Sequence, residues 1–308
     1  MNTNKTTVGI VIPTYNGGLL WKKVVQALQA QRADFDKVLV IDSGSTDNTV
    51  MIAQQAEFVV EKIPSSEFDY GSTRNLCVNK IDCDIVVFLT QDAIPADNAI
   101  SLITKVFDND RIAVAYGRQL PHDDATPISE HARLFNYGKE GYIYELCDKD
   151  KHGIRTVFAS NSFSAYNKKL FIGMGGFCCD SGSEDMHFAA KALLSGYKVC
   201  YAAEATCQHS HNYSSVQIFN RYFDVGVFHK NHAWISNTFG KPKKEGIKFV
   251  LSELSFLWKK RNLPWIPIAF INNFFKLLGY SMGLKYKMLP RKLVVYFSAY
   301  KSQWSNVS

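Results

Sequence analysis

No GxGxxG follows the first strand of this chain, no CxxC occurs, and there is no low-complexity tract or internal repeat. The first absence removes the glycine turn that brings a dinucleotide pyrophosphate against a helix start, and with it the simplest oxidoreductase reading. The second removes the paired thiols typical of structural zinc. Acidic residues are almost missing from the end of the chain. From Lys241 to Ser308 only Glu245 and Glu253 oppose thirteen Lys or Arg, a net of +11 in a chain whose total is +7. Residues 1–240 therefore carry a net of −4, so the average conceals a mildly acidic body and a strongly basic tail. Such asymmetry predicts an anionic partner surface. No stacking or groove-reading module accompanies it, which argues against nucleic acid and for membrane.

What is present is ordinary for a globular protein. The 308 residues are 46% hydrophobic and 20% charged, enough for one large domain or a domain plus an appendage. Seven cysteines, an odd number at irregular spacing, and a polar start (Met1–Thr7) that leads directly into a strand predict a reduced, cytoplasmic setting. Cys200, Cys207, His209 and His211 stand close together, but without paired spacing they read as buried cysteines beside two histidines.

Apolar runs at Val8–Ile12, Lys37–Ile41, Phe58–Glu61, Ile85–Leu89 and Ile112–Tyr116 predict buried strands. Helical spacing fills the gaps at Leu19–Gln31, Asp47–Glu57, Gly71–Lys80 and Asp97–Phe107, with Asp47 as a helix cap. Strand–helix alternation implies parallel crossovers and a Rossmann-like, mostly parallel α/β sheet with flanking helices. Gln119–Gly153 breaks the rhythm as a polar, aromatic insertion. Beyond it the pattern predicts a strand over Thr156–Ala165, a helix over Asn167–Gly173, a loop over Gly175–Gly182, a helix over Glu184–Leu194 and a short strand over Lys198–Tyr201. Helices over Ser214–His232 and Lys243–Trp258 and an apolar segment from Pro264 to Gly283 complete a helical extension.

Asp92 follows the strand Ile85–Leu89, and Asp42 ends the strand Lys37–Ile41. Carboxylates at the carboxyl ends of such strands lie on the rim where open α/β sheets bind ligands. Two of them predict a site for a nucleotide and a divalent cation.

Several segments carry a resemblance. IVIPTYNGG (10–18), VIDSGSTDNT (40–49), GSTRN (71–75), FLTQDAIP (88–95), GSEDMHFAAKALLSGYK (182–198) and HSHNYS (209–214) resemble a family 2 glycosyltransferase. TQDA together with HSHNYS and RYFDVGVFH (221–229) is similar to the bacterial rhamnosyltransferases of O-antigen and capsule assembly. The resemblance spans roughly residues 8–230, and its strength lies in the order of the motifs.

It implies a type A glycosyltransferase fold and an inverting transfer from a nucleotide sugar, with Mg²⁺ or Mn²⁺ as cofactor. It assigns Asp92 as metal ligand, with one of His209 and His211 completing the metal site. Thr90 stands where the family usually has a second acidic residue, leaving Asp92 as the main carboxylate. Asp42 matches the residue that accepts the base ring N–H. Pro13 and Tyr15 match contacts to base and ribose, and Arg74 and Gln91 lie near the nucleotide. Glu184 and Asp185 open one helix and point about 100° apart, so one of them faces the sugar. By resemblance that one is Asp185, the general base for the acceptor hydroxyl.

The implied donor is dTDP-L-rhamnose or a similar pyrimidine nucleotide sugar, and the implied acceptor is a lipid-linked oligosaccharide. The expected organisation is a catalytic domain over 1–235 and a basic, aromatic helical tail over 236–308 attached to the inner face of the cell membrane. Trp265–Met282 is interrupted by Asn272, Asn273 and Lys276, so it predicts a helix lying in the interface, against the alternative of one packed on the body. The rival readings are transfer of another nucleotide sugar on the same fold and a membrane-associated assembly scaffold without catalysis.

Overall fold

A computed structural model describes residues 6–179 and 182–304 of the chain. Residues 180 and 181 of the expected loop Gly175–Gly182, and 1–5 of the polar start, lie outside the described residues.

The apolar runs form strands where expected. β1 (Val8–Thr14), α1 (Gly18–Ala30), β2 (Lys37–Asp42), α2 (Thr49–Gln55), β3 (Val59–Lys62), α3 (Tyr70–Lys80) and β4 (Ile85–Leu89) follow in turn. β1 pairs in parallel with β2 on one side and β4 on the other, and β3 lies outside β2. The strand order 3-2-1-4 places a topological switch at β1, where the chain changes the direction in which it adds strands.

Side-chain alternation explains why both faces are covered. Ile10 and Ile12 of β1 and Val87 and Leu89 of β4 pack with Trp21, Val24 and Leu28 of α1. Val11, Val86 and Phe88 point the other way, against Cys77 and Val78 of α3.

The second half departs from a purely parallel sheet. After β5 (Ile94–Pro95), α4 (Ala99–Lys105) and β6 (Ile112–Leu120), the chain passes through α5 (Pro127–Asn136), β7 (Tyr142–Tyr144) and α6 (Lys149–His152). The strand expected over 156–165 is displaced: residues 153–157 form a 3₁₀ turn, and β8 spans Phe163–Asn167. β8 runs antiparallel between β4 and β6. The reason is the point of entry. The chain reaches β8 at the carboxyl end of β4, where Thr90 N donates to Ser162 O at 3.2 Å and Phe163 pairs with Leu89, so the strand can only run back down the sheet.

α7 (Lys168–Gly173) and α8 (Glu184–Leu194) return the chain to β9 (Lys198–Gln208). β9 is longer than its apolar core predicts because it pairs in parallel with β6 across an irregularity at Gly117/Arg118 and also takes up β5 and β7. Cys200 and Cys207 lie in it as buried thiols. Burial pushes Cys200 up to about 11 and Cys207 further, so both thiols stay protonated at neutral pH.

The C-terminal helices are α9 (Ser215–Asn231), α10 (Ala233–Phe239), α11 (Lys243–Lys259), α12 (Trp265–Leu284) and α13 (Arg291–Phe297), of which α11 to α13 lie in the expected tail. α12 meets α9 backbone to backbone. A Cβ on Gly279 would stand 2.4 Å from Phe219 O, and one on Gly283 2.0 Å from Phe223 O. The opposite face of α12 is exposed and apolar: Phe270, Ile271, Phe274 and Leu277 are each more than half exposed. Packing on the body therefore accounts for one face of this segment, and the other face is open. Among the described residues no helix is long and apolar enough to cross a membrane.

The α9–α12 contact yields a stability prediction. Gly283→Ala forces the backbones apart and is expected to cost about 1–3 kcal/mol. Gly246→Ala, in α11 with open space around it, is expected to be neutral or to stabilise by up to ~1 kcal/mol. Urea midpoints of the two variants check this, with a common m value showing that only stability has changed.

Candidate active site

The carboxyl ends of β1, β2 and β4 open on a cavity of about 640 Å³, a size suited to a small-molecule ligand. Its lining includes Pro13, Tyr15, Arg74, Gln91, Asp92, Asp185, His209 and His211, which is every candidate named from sequence except Asp42. A larger depression of about 820 Å³ lies at the opposite edge of the sheet around Val8, Asp84 and Lys105, and holds none of these residues.

Loop lacing builds the nucleotide side. Gln91 spends its amide on the Tyr15 backbone, accepting from Tyr15 N at 2.7 Å and donating to Tyr15 O at 3.0 Å. It thus ties together the two loops that flank the switch point and leaves the Tyr15 ring 54% exposed at the rim. Asp42 lies beneath the rim, 1% exposed. Its Oδ1 accepts from Thr14 Oγ1 and Ser45 Oγ, and its Oδ2 from Gly44 N and Ser45 N. Asp42 shapes the loop after β2, while its neighbour Ser43 faces the cavity. Asp47 accepts from Thr49 N and Gly18 N and so caps the starts of both α1 and α2. Its hydrogen bond from the Thr49 hydroxyl is the largest cause of a lowered pKa.

The metal-binding candidates converge through a short strand pairing. β5 pairs Ile94 with Gln208, which sets Asp92 beside the residues that follow β9. His209 Nε2 lies 3.6 Å from Asp92 Oδ1, and His211 Nε2 lies 3.6 Å from Asp92 Oδ2.

The protonation of His209 is fixed by its neighbours. Arg133 can only donate, and its NH1 contacts Gln119 Oε1, so that atom of the Gln119 amide is its oxygen. The same oxygen lies 2.8 Å from His209 Nδ1, which must therefore carry the proton. The Nε2 lone pair is left aimed at Asp92. Burial, with His211 and Arg133 adding to it, drives the pKa of His209 well below its ordinary value and keeps the ring neutral. A carboxylate and a buried imidazole lone pair facing each other at 3.6 Å lack a proton to share, and the second imidazole joins them. The donor set, one oxygen and two imidazole nitrogens within 4.8 Å of one another, fits a divalent cation.

The acceptor side is built on the start of α8. Glu184 borders the cavity but is only 4% exposed, and its Oε1 accepts from Arg74 NH1 at 2.8 Å and Asn161 Nδ2 at 2.9 Å. Asp185 turns to the cavity and accepts from Met186 N at 2.7 Å and Asn161 N at 3.2 Å. Surrounding protein raises the Asp185 carboxyl to about 7, and the neighbouring Glu184 charge adds to the rise, against the two backbone N–H bonds and Arg74. Arg74, 2% exposed, contributes to the cavity wall as the partner of Glu184. It forms a buried ion pair that joins α3 to α8.

Three residues had no role assigned from the sequence. Arg221, nearly two turns into α9, reaches the cavity and stacks on Tyr213 at 4.8 Å, and Tyr213 in turn lies 4.9 Å from the His211 ring. Among the described residues no carboxylate pairs with Arg221. Arg133 orders Gln119. Tyr300 arrives from the end of the tail, where Asp224 accepts from Ala299 N at 2.7 Å, and its ring sits 5.1 Å from Tyr70 in the cavity wall. The RYFD run was legible as a motif, but only the helix phase shows that Arg221 faces the site while Asp224 holds the tail.

Sheet order, rim and converging carboxylates define a type A glycosyltransferase fold. Residues 9–175 match the model of Glycosyl transferase family 2, and the chain belongs to that family. It is 47% identical over 305 residues to the O-antigen chain rhamnosyltransferase RfbN of Salmonella typhimurium, covering 97% of this chain and 96% of that one. It is 45% identical over 303 residues to the O-antigen chain rhamnosyltransferase WbaN of Salmonella anatum, with the same coverage. Among solved structures, its fold is similar to that of the mannosyltransferase PcManGT from Pyrobaculum calidifontis in complex with GDP-Man and Mn²⁺. That match has a TM-score of 0.64 at 16% identity and covers 92% of this chain and 88% of that one. Glucosyl-3-phosphoglycerate synthase from Mycobacterium tuberculosis, with Mn²⁺ and UDP, matches at a TM-score of 0.53 and 17% identity, covering 73% and 79% of the two chains.

The raised pKa of Asp185 has a consequence for stability. Its folded-state value lies above the unfolded one, so the folded chain favours the neutral carboxyl. That stabilisation is complete below about pH 4 and is lost as pH rises through about 7. Asp185→Asn, which is neutral throughout, is expected to melt higher than the parent at pH 8. The gap should close as the pH is lowered toward 4, as read by melting curves across pH.

Proposed function

We propose that this enzyme is an inverting rhamnosyltransferase that moves L-rhamnose from dTDP-L-rhamnose to a hydroxyl of a lipid-linked oligosaccharide during O-antigen assembly. The observation that carries the catalytic reading is that Asp92, His209, His211 and Asp185 line one cavity at the switch point of the sheet. The likeness over nearly the whole chain to two O-antigen chain rhamnosyltransferases supports the sugar and the pathway class.

Asp185 accepts the proton of the acceptor hydroxyl. Its value of about 7 suits a base that must be ionised near neutrality and still hold a proton. The acceptor oxygen then forms a bond to the anomeric carbon from the face opposite the diphosphate. The bond from that carbon to the diphosphate oxygen breaks, and the electron pair leaves with the nucleoside diphosphate. Asp92, His209 and His211 would hold a divalent cation, Mg²⁺ or Mn²⁺, which when bound supplies Lewis-acid neutralisation of the leaving diphosphate. Arg221 offers a guanidinium to the same anion from the side of Tyr213. Tyr15 and Ser43 lie where the base and ribose would rest.

Turnover of dTDP-L-rhamnose with a lipid-linked acceptor and Mn²⁺ is the direct test, run beside UDP-glucose and GDP-mannose. The expected kcat/KM rises with pH through about 7 and then levels, as Asp185 ionises. Asp185→Asn is expected to lose roughly 10²–10⁴-fold in kcat. Asp92→Asn should weaken the response to added Mn²⁺. Turnover of another nucleotide sugar with none of dTDP-L-rhamnose would refute the donor. Unchanged turnover in Asp185→Asn would refute the base.

The same reading places the enzyme on the inner face of the cell membrane. The apolar outer face of α12 supports it, together with exposed Ile247, Leu251 and Trp258 on α11 and the cationic turn Lys259–Arg261 between the two helices. Phe270→Ser combined with Phe274→Ser is expected to lower binding to vesicles containing phosphatidylglycerol at least tenfold, and high salt should lower parent binding. Equal sedimentation of parent and variant would remove α12 from the attachment.

A further inference from the structure

A second group of metal-binding side chains lies outside the cavity, where the segment before α8, α8 itself and the α9–α10 junction meet. Cys178 Sγ and one ring nitrogen from each of His187 and His232 all lie within 4.8 Å of one another, each residue half-buried. None of the three lines the catalytic cavity. We propose that Cys178, His187 and His232 form a zinc site distinct from the cation site at Asp92.

Donor chemistry sets the metal class. A thiolate with two imidazoles is a sulfur–nitrogen set, which suits Zn²⁺ and disfavours Mg²⁺ and Mn²⁺. With Zn–S near 2.3 Å and Zn–N near 2.0 Å, ligand atoms around one zinc stand about 3.3–3.7 Å apart, so small side-chain rotations close the observed spread. Three protein ligands leave one tetrahedral position for water. Binding replaces the thiol proton: Cys178 gives H⁺ to solvent and its sulfur lone pair to the metal, with no change in oxidation state.

The ligands are held by elements that do not depend on the metal. The Cys178 backbone rests on α3, where a Cβ at Gly71 would meet Cys178 O at 2.1 Å. Asn75 clamps the preceding residue, accepting from Phe177 N and donating to Phe177 O, both at 2.9 Å. His187 stands on the first turn of α8, and its ring lies 4.8 Å from His232 and 5.7 Å from Trp234. His232 ends α9 and begins α10, its ring 4.8 Å from Phe228. Cys77 and Cys83 are buried elsewhere in the fold, and neither belongs to this group. Bound zinc would pin the segment that leads into Glu184 and Asp185 to the helices that carry Arg221. It acts as a brace, and no step of the transfer runs through it.

Cobalt substitution in the full, untagged chain tests the site independently of turnover. Co²⁺ bound at Cys178 is expected to show a thiolate-to-cobalt charge-transfer band in the near ultraviolet. The Asp92 group contains no sulfur and cannot produce it. The band and about one equivalent of zinc in the purified protein are expected for the parent and for Cys179→Ser. Both are expected to vanish in Cys178→Ser, and zinc affinity should fall at least tenfold in His187→Gln and His232→Gln, with far-ultraviolet circular dichroism confirming the fold. The proposal is overturned if cobalt gives no band in the parent, if the band survives Cys178→Ser, or if it depends on Cys179 instead. None of these outcomes touches the rhamnosyltransferase reading.

Discussion

The ion pair between Arg74 and Glu184, 2.8 Å apart and sealed from water, is the constraint around which the catalytic half is arranged. It joins a helix of the nucleotide-binding half to the first residue of the helix that carries Asp185. Breaking such a pair by removing one partner leaves an uncompensated buried charge, at a cost of about 3–5 kcal/mol. Asn161 extends the network, donating to Glu184 and, through its backbone, to Asp185. The same groups therefore hold the Asp185 carboxyl in place and tune it: burial raises its proton affinity, Glu184 adds to the rise by repulsion, and Arg74 relieves part of it. Position and proton affinity are not separable here.

A parallel arrangement governs the other wall. Arg133 orients Gln119, Gln119 fixes the His209 tautomer, and the tautomer decides that a lone pair rather than an N–H faces Asp92. His122 donates to the Asp92 backbone carbonyl at 3.1 Å and steadies the carboxylate from behind. Asp92 and His209 are thus each steadied by residues one step removed from the place where they meet His211.

Much of this was legible in the chain. Five apolar strands, the acid-tipped rim, the ordered motifs and the helix opening at Glu184 follow from periodicity and resemblance, because each is a local pattern. What escaped depends on distant partners. The antiparallel course of β8 follows from where the chain re-enters the sheet, and the length of β9 from the strands it pairs with. The four donors that surround Asp42 come from its own loop and from Thr14 of β1, and a carboxylate at a strand end does not announce them in sequence. Arg221 could not be placed without the phase of α9, nor Tyr300 without the hydrogen bond from Ala299 N to Asp224. The histidine pair could be placed on one side but not assigned between its members. In the structure both approach Asp92, one buried and one partly open.

Because the Gly226, Gly279 and Gly283 contacts leave no side-chain cushion between α9 and α12, the two helices behave as one beam. Arg221 lies five residues before Gly226, a rise of about 7.5 Å along that beam. A load applied to the outer surface of α12 is therefore transmitted to the guanidinium with little give along the way. Whatever presses on that outer surface becomes mechanically continuous with a cationic side chain in the cavity.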